Sequence, residues 1–578
     1  MKKPVLLFTL FISFISYSQE DPVLHWARTF GSIGHQSAYA LATDSDGNVY
    51  TAGTFSATVD FDPGPGEALL TQTGNSPDGY VQKLDGQGNF VWAKRMGGAD
   101  GNFWSHMALM PNGDIILAGT FNGTVDFDPG TGVFNLSSTL MLNPIYKSYD
   151  VAVVRLDSDG NFIWAKKVGG TQADSVNSLV IDADENIIVA GMFAETADFD
   201  PGNGVQNLTA TGSWDAFLLK LDTDGNFIWV KQFGGGDDTR IAELKLSDNG
   251  NLFILGSYHT GMDADPGTGV HSLPPGPADQ FGQIGGSAYV LQLDQAGDFV
   301  WADAFNNIFI AATAMGLAPD GNLIVSGMFR GQVDLDPGAG ESLFSSEGMT
   351  NSLALFKLDT SGNLMWAKAT GPVGAFYPHK ILSRQDGQFI MAGTFNTTVP
   401  LPGSDNIIIT ATAGDNYPED VFLARFDSEG NALWAETLGG PYNDTIEDLK
   451  ITDSGLFYLC GGFDTSADLD PGDGEFQVTA AGWVDAYVER LGPQALGLED
   501  MASSGSWKIY PNPSNGNVNF SFDSSYNGAS ATIYSMLGQR ISGFEINTLQ
   551  HQLTLPSGTY LVKVENGKSA ETKKLIVN

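Results

Sequence analysis

Apolar residues in this chain fall in short runs of strand length, rich in Val, Ile, Phe and Tyr and closed by Gly, Asn, Asp or Pro. That pattern predicts β-strands joined by tight turns, with no stretch of sustained helical period. Seven tryptophans mark its repetition: Trp26, Trp92, Trp164, Trp229, Trp301, Trp366 and Trp434, separated by 66, 72, 65, 72, 65 and 68 residues, all but Trp229 followed by Ala. After each Trp run most units show a Gly-Gly pair (Gly97-Gly98, Gly169-Gly170, Gly234-Gly235, Gly439-Gly440) and an apolar run such as Ser178 to Ile181. An Asp-x-x-Gly-Asn turn follows, as at Asp44 to Asn48, and then a run ending in Gly-x-Phe, as at Gly53 and Phe55. An Asp-x-Asp-Pro-Gly loop, a closing run such as Asp215 to Asp222 and a second Gly-Asn turn lead to the next Trp. Phe90 and Trp92 lie two apart and are therefore expected on one face of their strand, packed between neighbouring sheets.

Each unit thus supplies four strands and cannot bury its apolar faces alone, so the units must stack. The expected fold is all-β, a seven-bladed β-propeller with four strands per blade. Trp26 has no closing strand before it and Leu491 has no Trp strand after it. The strand around Leu24 to Thr29 is therefore expected to complete the last blade, whose other strands come from about Glu447 to Leu491. The Gly-Asn-x-x-x-x-Gly-x-Phe segment from Gly47 to Phe55 and the Lys-Leu-Asp-x-x-Gly-Asn-x-x-Trp segment from Lys83 to Trp92 resemble the SBBP family of bacterial β-propeller repeats. The resemblance spans Trp26 to Leu491 and implies fold more than function, because propellers host binding and catalysis alike.

Periodicity ends at Gly492-Pro493, and residues 493–506 read as a polar linker. From 507 to 578 the pattern changes. Tyr510-Pro511-Asn512-Pro513 opens it, Met536-Leu537-Gly538 sits mid-way, Gly558-Thr559-Tyr560 begins an alternating strand, and Lys573-Lys574-Leu575-Ile576-Val577 closes it. Alternation broken by Gly and Pro predicts a small antiparallel sandwich. These segments resemble, in order, the type A sorting domain of the type IX secretion system of Bacteroidota. The resemblance implies that Pro511, Asn512, Pro513, Gly558, Tyr560, Lys573 and Lys574 belong to a sorting signal, with the secretion machinery as partner and the outer cell surface or medium as destination.

The termini and charge agree with export. Lys2 and Lys3, the apolar run Val5 to Ile15, and Ser16-Tyr17-Ser18 predict a signal peptide over 1–18, with the propeller over 19–492. No run approaches the roughly 20 apolar residues of a spanning helix. Acidic residues outnumber basic ones 67 to 28, a net charge of -39 that disfavours nucleic acid and anionic lipid and favours cations. The single cysteine, Cys460, lies in an apolar run and reads as a small buried hydrophobe. A monomer is expected.

The most pointed chemical motif is Asp-x-Asp-Pro-Gly, at Asp60 and Asp62, Asp126 and Asp128, Asp198 and Asp200, Asp263 and Asp265, Asp334 and Asp336, and Asp468 and Asp470. Paired carboxylates on a rigid turn suit calcium, which takes about 6 to 8 oxygens. They equally suit a turn lock, in which the carboxylates accept backbone amides. The Asp-x-Asp-Gly-Asn turns (Asp44 and Asp46, Asp157 and Asp159, Asp222 and Asp224) lack the later Glu of a helical calcium loop and read as hairpins. Longer loops in the second and fourth units place Tyr146, Lys147, Asp279 and Phe281 on the acidic-loop face, a candidate surface for a glycan or protein partner. No nucleophile elbow, phosphate loop or zinc spacing occurs. Differences between units look mostly apolar or confined to loop length, with no non-repeating polar cluster of the kind an enzyme needs. The expected function is therefore a surface binding or adhesion scaffold, and the alternative a polysaccharide hydrolase or lyase acting at the propeller mouth.

Overall fold

The computed structural model describes residues 22–493 and 507–577, apart from 140–147, 277–285, 306–310, 347–350, 372, 405, 413, 415–417, 453–454, 473, 511–513, 515, 523–525, 527, 536–539, 557 and 567–568. The signal-peptide segment, nearly all of the linker, and Tyr146, Lys147, Asp279, Phe281, Pro511, Asn512 and Pro513 lie outside the described residues. Among the described residues there is no α-helix, and so no helix long and apolar enough to cross a membrane. The chain divides into two compact units, Met1–Pro493 and Gln494–Asn578.

The first unit is a succession of antiparallel sheets, each built on four strands that in all but the last follow chain order, with a short hairpin such as Thr124–Asp126 and Asn135–Ser137 added at the edge of three of them. The first sheet comprises Ser37–Thr43, Val49–Phe55, Asp78–Leu84 and Phe90–Gly98, and the second Asn102–Leu109, Ile115–Asn122, Tyr149–Leu156 and Phe162–Gly170. The third is Ser175–Ile181, Ile187–Phe193, Asp215–Leu221 and Phe227–Gly235, followed by Thr239–Leu246, Leu252–Tyr258, Ser287–Leu293 and Phe299–Phe305. Next come Ala311–Leu317, Leu323–Phe329, Ser352–Leu358 and Leu364–Ala369, then Phe376–Ser383, Phe389–Phe395, Asp420–Phe426 and Ala432–Leu438. The last sheet takes Asp444–Ile451, Phe457–Asp468 and Gln477–Gly492 and receives its fourth strand, Val23–Phe30, from the other end of the unit. Phe30 pairs with Ala486 and Ala27 with Glu489, so the N-terminal strand clasps the last sheet as the unit order predicts.

The opening strand of each sheet packs against the opening strand of the next, and Asp444–Ile451 packs in turn against Ser37–Thr43. These inner strands therefore share an axis. Apolar side chains fill the gaps between consecutive sheets. Ala52, Val81, Ile115, Leu117, Ala152 and Val154, drawn from the first and second sheets, form one such fully buried layer. Each buried Leu or Val contributes about 1.5–3 kcal/mol, so the gaps are the principal source of stability.

The repeating tryptophan fastens these gaps at their outer end. Trp164 Nε1 donates to Thr223 O at 3.1 Å, Trp301 Nε1 to Thr360 O at 3.1 Å and Trp366 Nε1 to Ser428 O at 3.0 Å, in each case a carbonyl in the second Gly-Asn turn of the following sheet. Trp26, in the clasping strand, donates to Gly86 O of the first sheet at 3.2 Å. The indole ring also lies against that turn's glycine. A Cβ built on Gly225 would sit 3.1 Å from Trp164 and 2.8 Å from Lys166, and Gly225 has a φ of 72°. Steric room and backbone hand both demand glycine there. Two of the repeating indoles depart from this: Trp92 rests on the Gly160 turn, but its N–H is buried without a partner, and Trp434, whose N–H is likewise unpartnered, has no such turn ahead of it because Gln477–Gly492 ends the last sheet's own chain.

One expectation fails here. Phe90 and Trp92 face opposite gaps: Phe90 packs with the layer between the last and first sheets, Trp92 with the layer between the first and second. The cause is a β-bulge, since Trp92 pairs with Lys83 and Phe90 with Leu84, leaving Val91 unpaired. An extra residue reverses the alternation of faces. The same register shift accompanies Phe162 and Trp164, and Phe299 and Trp301.

The second unit is a small sandwich around Trp507, Phe520, Ile533, Val562, Val564 and Leu575, all buried. One sheet orders Lys508–Tyr510, Asn517–Ser521 and Gln550–Thr554, and the other Arg540–Glu545, Ser530–Ser535, Gly558–Asn566 and Ser569–Val577. Lys573 donates to Trp507 O at 2.7 Å and lies 4.7 Å from the Trp507 ring centre, tying the last strand to the first residue of the fold. Tyr560 is buried and its hydroxyl donates to Pro556 O at 2.9 Å.

Two substitutions test the turn argument in opposite directions. In the third sheet Glu185 occupies the turn position that other sheets give to glycine and is held at a φ of 64°. Glu185→Gly should stabilise the protein by about 0.5–1 kcal/mol. Gly225→Ala should destabilise it by about 1–3 kcal/mol through the αL penalty and the clash with Trp164. Both are read from denaturant midpoints of the purified protein.

Candidate functional site: an axial cavity

The inner strands begin as ordinary alternating runs, but each contains one residue too many. Pairing with the second strand skips Tyr39, Ser105, Asn177, Ala242, Thr313, His379 and Glu447, one bulge at the same place in each inner strand. A bulge re-aims its side chain and that of the next residue. Here all seven bulge residues line a cavity of about 440 Å³, joined by the following residue in five strands (His106, Ser178, Glu243, Lys380 and Asp448), while Ala40 and Ala314 pack between sheets.

The residue after the bulge links neighbouring sheets. Asp448 Oδ2 of the last sheet accepts Leu41 N of the first at 3.0 Å, Ser178 Oγ accepts Leu244 N at 3.2 Å, and Glu243 Oε2 accepts Met315 N at 2.6 Å. These bonds carry the backbone network from one sheet to the next. Lysines balance the carboxylates: Lys450 Nζ is 3.0 Å from Asp448 Oδ2, Lys380 Nζ 3.5 Å from Asp448 Oδ1, and Lys245 Nζ 2.6 Å from Glu243 Oε1. Tyr39 and Phe103 form a tilted ring pair with centres 4.3 Å apart.

Enclosure sets the protonation states. Desolvation, aided by Lys380 and Lys450, lowers His106 to about 3, and desolvation with Lys380 lowers His379 to about 4, so both imidazoles are neutral at physiological pH. For Asp448 desolvation is outweighed by Lys450, Lys380 and the Leu41 amide, which hold its carboxyl well below the usual range. Burial raises Glu447 and Tyr39. Lys380 loses hydration, but Asp448 and Glu243 hold it above its ordinary value. The axis therefore gathers neutral imidazoles, compensated charges, amides and hydroxyls.

The repeat pattern predicts no such cluster. The residues were missed because the bulge position is the least repeated site in the unit: Tyr, Ser, Asn, Ala, Thr, His and Glu stand where an alignment offers no motif. That variability was itself the available signal.

The acidic loops have a different geometry. Asp60 Oδ1 accepts Asp62 N at 3.0 Å and Ala68 N at 2.8 Å, while Asp62 Oδ1 accepts Gly64 N at 2.8 Å. The pairs Asp126 and Asp128, Asp198 and Asp200, Asp263 and Asp265, Asp334 and Asp336, and Asp468 and Asp470 repeat this arrangement. Each pair sits on its own hairpin and folds inward on its own amides. Among the described residues, no group of three or more His, Cys, Asp or Glu is placed to hold a metal. The Asp44 turn likewise spends its Oδ1 on the Asp46 and Asn48 amides at 3.0 and 2.9 Å. Cys460 is fully buried and its thiol faces Ala38 O at 3.6 Å.

A second class of buried carboxyl lies at the Gly-Gly connections. Asp420 and Asp444 flank Gly439, and Asp444 Oδ2 accepts Gly440 N at 2.7 Å. Burial and the neighbouring Asp420 raise Asp444 to about 8, and burial raises Asp420 to about 6. Asp174, beside Asp150, is raised to about 8 in the same way.

With the geometry in place, comparison with known proteins supplies the class. Residues 508–578 match the secretion system C-terminal sorting domain. The chain is a type IX-sorted all-β protein of repeated, blade-like four-stranded sheets, and the sorting domain implies delivery to the cell surface or extracellular space. An uncharacterised WD repeat-containing protein of Acanthamoeba polyphaga mimivirus is 22% identical over 364 residues, 54% of this chain and 26% of the relative. The regulatory protein FlaEY of Caulobacter vibrioides is 25% identical over 224 residues, 38% of this chain and 22% of the relative. The chain thus spans about a quarter of the length of these curated relatives. Among solved structures, the Neurospora crassa Pan2 WD40 domain is 12% identical with a TM-score of 0.37, covering 81% of this chain and 96% of that one.

The raised carboxyls give a pH prediction with a definite sign. A carboxyl whose folded value is about 8 keeps its proton in the native state, whereas the unfolded chain loses it near 4. Its stabilising contribution is complete below about pH 4 and is lost as pH rises through about 8. Stability should therefore fall between pH 5 and pH 8 by up to about 1.4 kcal/mol per unit per group. Asp444→Asn should shallow that slope, as measured by denaturation across the range, and an unchanged slope would contradict the assignment.

Proposed function

We propose that this chain is an exported binding scaffold, a closed seven-bladed propeller carried through type IX machinery by its C-terminal domain, with the axial cavity as its ligand site. The observation that carries the reading is the sorting domain at residues 508–578 following a repeat scaffold whose inner strands, among the described residues, bring non-repeating polar side chains to one cavity. Ring closure is supported by the clasp of Val23–Phe30 on the last sheet and by the packing of Asp444–Ile451 against Ser37–Thr43. Structural residues in such a ring should repeat. Residues that differ in every blade yet converge on one point are where selection for a ligand acts.

In this reading the acidic loops are turn locks, because their Oδ1 atoms are occupied by backbone amides. Calcium is the rival occupant for the remaining carboxylate oxygens. The melting temperature should be the same in millimolar calcium and in excess chelator, and a clear calcium-dependent rise would assign the loops to the metal.

The competing function is a polysaccharide hydrolase or lyase. It draws support from the neutral His106 and His379 and the raised Glu447 in one cavity, residue types that serve as general base and acid. Reducing-end release from polysaccharides, abolished by Glu447→Gln, would establish turnover in place of passive binding.

Export is tested directly. A chain truncated after residue 506 should accumulate in the periplasm of a type IX-competent host, while the full chain reaches the surface or medium. Fractionation with immunoblotting reads the difference, and surface delivery of the truncated chain would overturn the proposal.

A further inference from the structure

We infer that the axial cavity binds a neutral sugar, the size of a monosaccharide or disaccharide at the end of a glycan. The inference deepens the scaffold reading and rests on it for biological sense, but its test does not. Four observations converge.

The volume comes first: about 440 Å³ lies within the usual 300–1,000 Å³ of small-molecule sites. The second is charge balance. Asp448 is occupied by the Leu41 and Leu449 amides and by Lys450, and Glu243 by the Met315 amide and Lys245. Lys380 sits within reach of Asp448 and under the influence of Glu243 and Glu447. An entering ion would lose its hydration and find the charges of Asp448, Glu243, Lys245, Lys380 and Lys450 already paired, which is costly. A neutral ligand meets no such penalty.

The third observation is surplus hydrogen-bonding capacity of both kinds. A neutral imidazole offers one N–H and one lone pair; both rings line the cavity, but His106 engages Ser105 Oγ at 2.8 Å and the Asn177 backbone, whereas His379 has only a long 3.4 Å contact from Nε2 to Thr394 Oγ1 and is the freer ring for a ligand. Asn177 Oδ1, shielded from solvent on the cavity wall, has no hydrogen-bond partner in the protein. A buried amide oxygen left unmatched costs about 1–3 kcal/mol, so its presence marks a place where a ligand donor belongs. Sugar hydroxyls both donate and accept and therefore match this mixed lining better than an ion or a hydrocarbon does.

The fourth is an apolar surface at the same site. The Tyr39 and Phe103 rings line the cavity as a pair, a suitable platform for the C–H face of a pyranose. The arrangement occurs once among the described inner strands, in keeping with a single site per chain.

The test uses purified full-length protein in calorimetric titrations against glucose, galactose, mannose and N-acetylglucosamine, with galacturonate and glucosamine as charged controls. At least one neutral sugar should bind with one-to-one stoichiometry. The charged analogues, Asn177→Ala and His379→Ala should each weaken binding by about tenfold or more. Melting temperatures of both variants are measured in parallel, and Thr313→Val serves as a second probe of the wall if either is destabilised. Absence of binding by all four neutral sugars up to about 50 mM, equal affinity in the cavity variants, or tighter binding of a charged analogue would each overturn the assignment. Failure of export on truncation bears only on the scaffold reading. Sugar cleavage in place of binding would replace the scaffold by an enzyme while leaving the sugar site in position.

Discussion

The contact on which the first unit depends is the tryptophan of one sheet resting on the glycine turn of the next. It joins three demands at one point. The indole N–H needs an acceptor, the turn needs a left-handed residue, and the gap between sheets needs a wide apolar cover. Trp164 over Gly225 meets all three, with its N–H on Thr223 O. Because the partners of Trp26, Trp164, Trp301 and Trp366 lie 60, 59, 59 and 62 residues further on, the latch ties sequence periodicity to spatial order. Trp26 uses it to bind the first sheet to a strand that completes the last.

That frame explains where variation is tolerated. The gaps between sheets admit almost only apolar residues, and the turns favour Gly, Asn and Asp, with Glu185 a departure at a positive φ. The inner strands carry one supernumerary residue each, which no gap and no turn constrains. A succession of packed sheets whose inner strands bring weakly constrained side chains together is a general way to build a site, since most of the scaffold's stability lies in the gaps between sheets. Asp448, Ser178 and Glu243, each one place after its bulge, are the exceptions, because they serve the cavity wall and the seam between sheets together. Removing any of them would disturb packing as well as chemistry.

Buried carboxyls fall into two electrostatic classes for a local reason. Asp448 meets two lysines and a backbone amide and stays ionised. Asp444 and Asp174 each meet another aspartate across a glycine and hold their protons. The same residue type thus favours high pH at one place and low pH at another, and the chain's strong negative charge does not by itself foretell either.

Strand character, the repeated unit, the clasp by the N-terminal strand and the sorting segment were all legible in the amino-acid order, because local propensity and periodicity act over short spans and survive without coordinates. The double aspartates were legible as a repeated motif suited both to a turn lock and to calcium. What only the tertiary structure decided was everything that depends on a single extra residue. The bulge at Val91 sends Phe90 and Trp92 to opposite gaps, and the bulges at Asn177, His379 and Glu447 aim side chains from distant strands at one axis. A register slip of one position reverses a strand's faces while leaving its composition and apparent alternation unchanged. Pairing between strands, which sequence order does not display, is what fixes it.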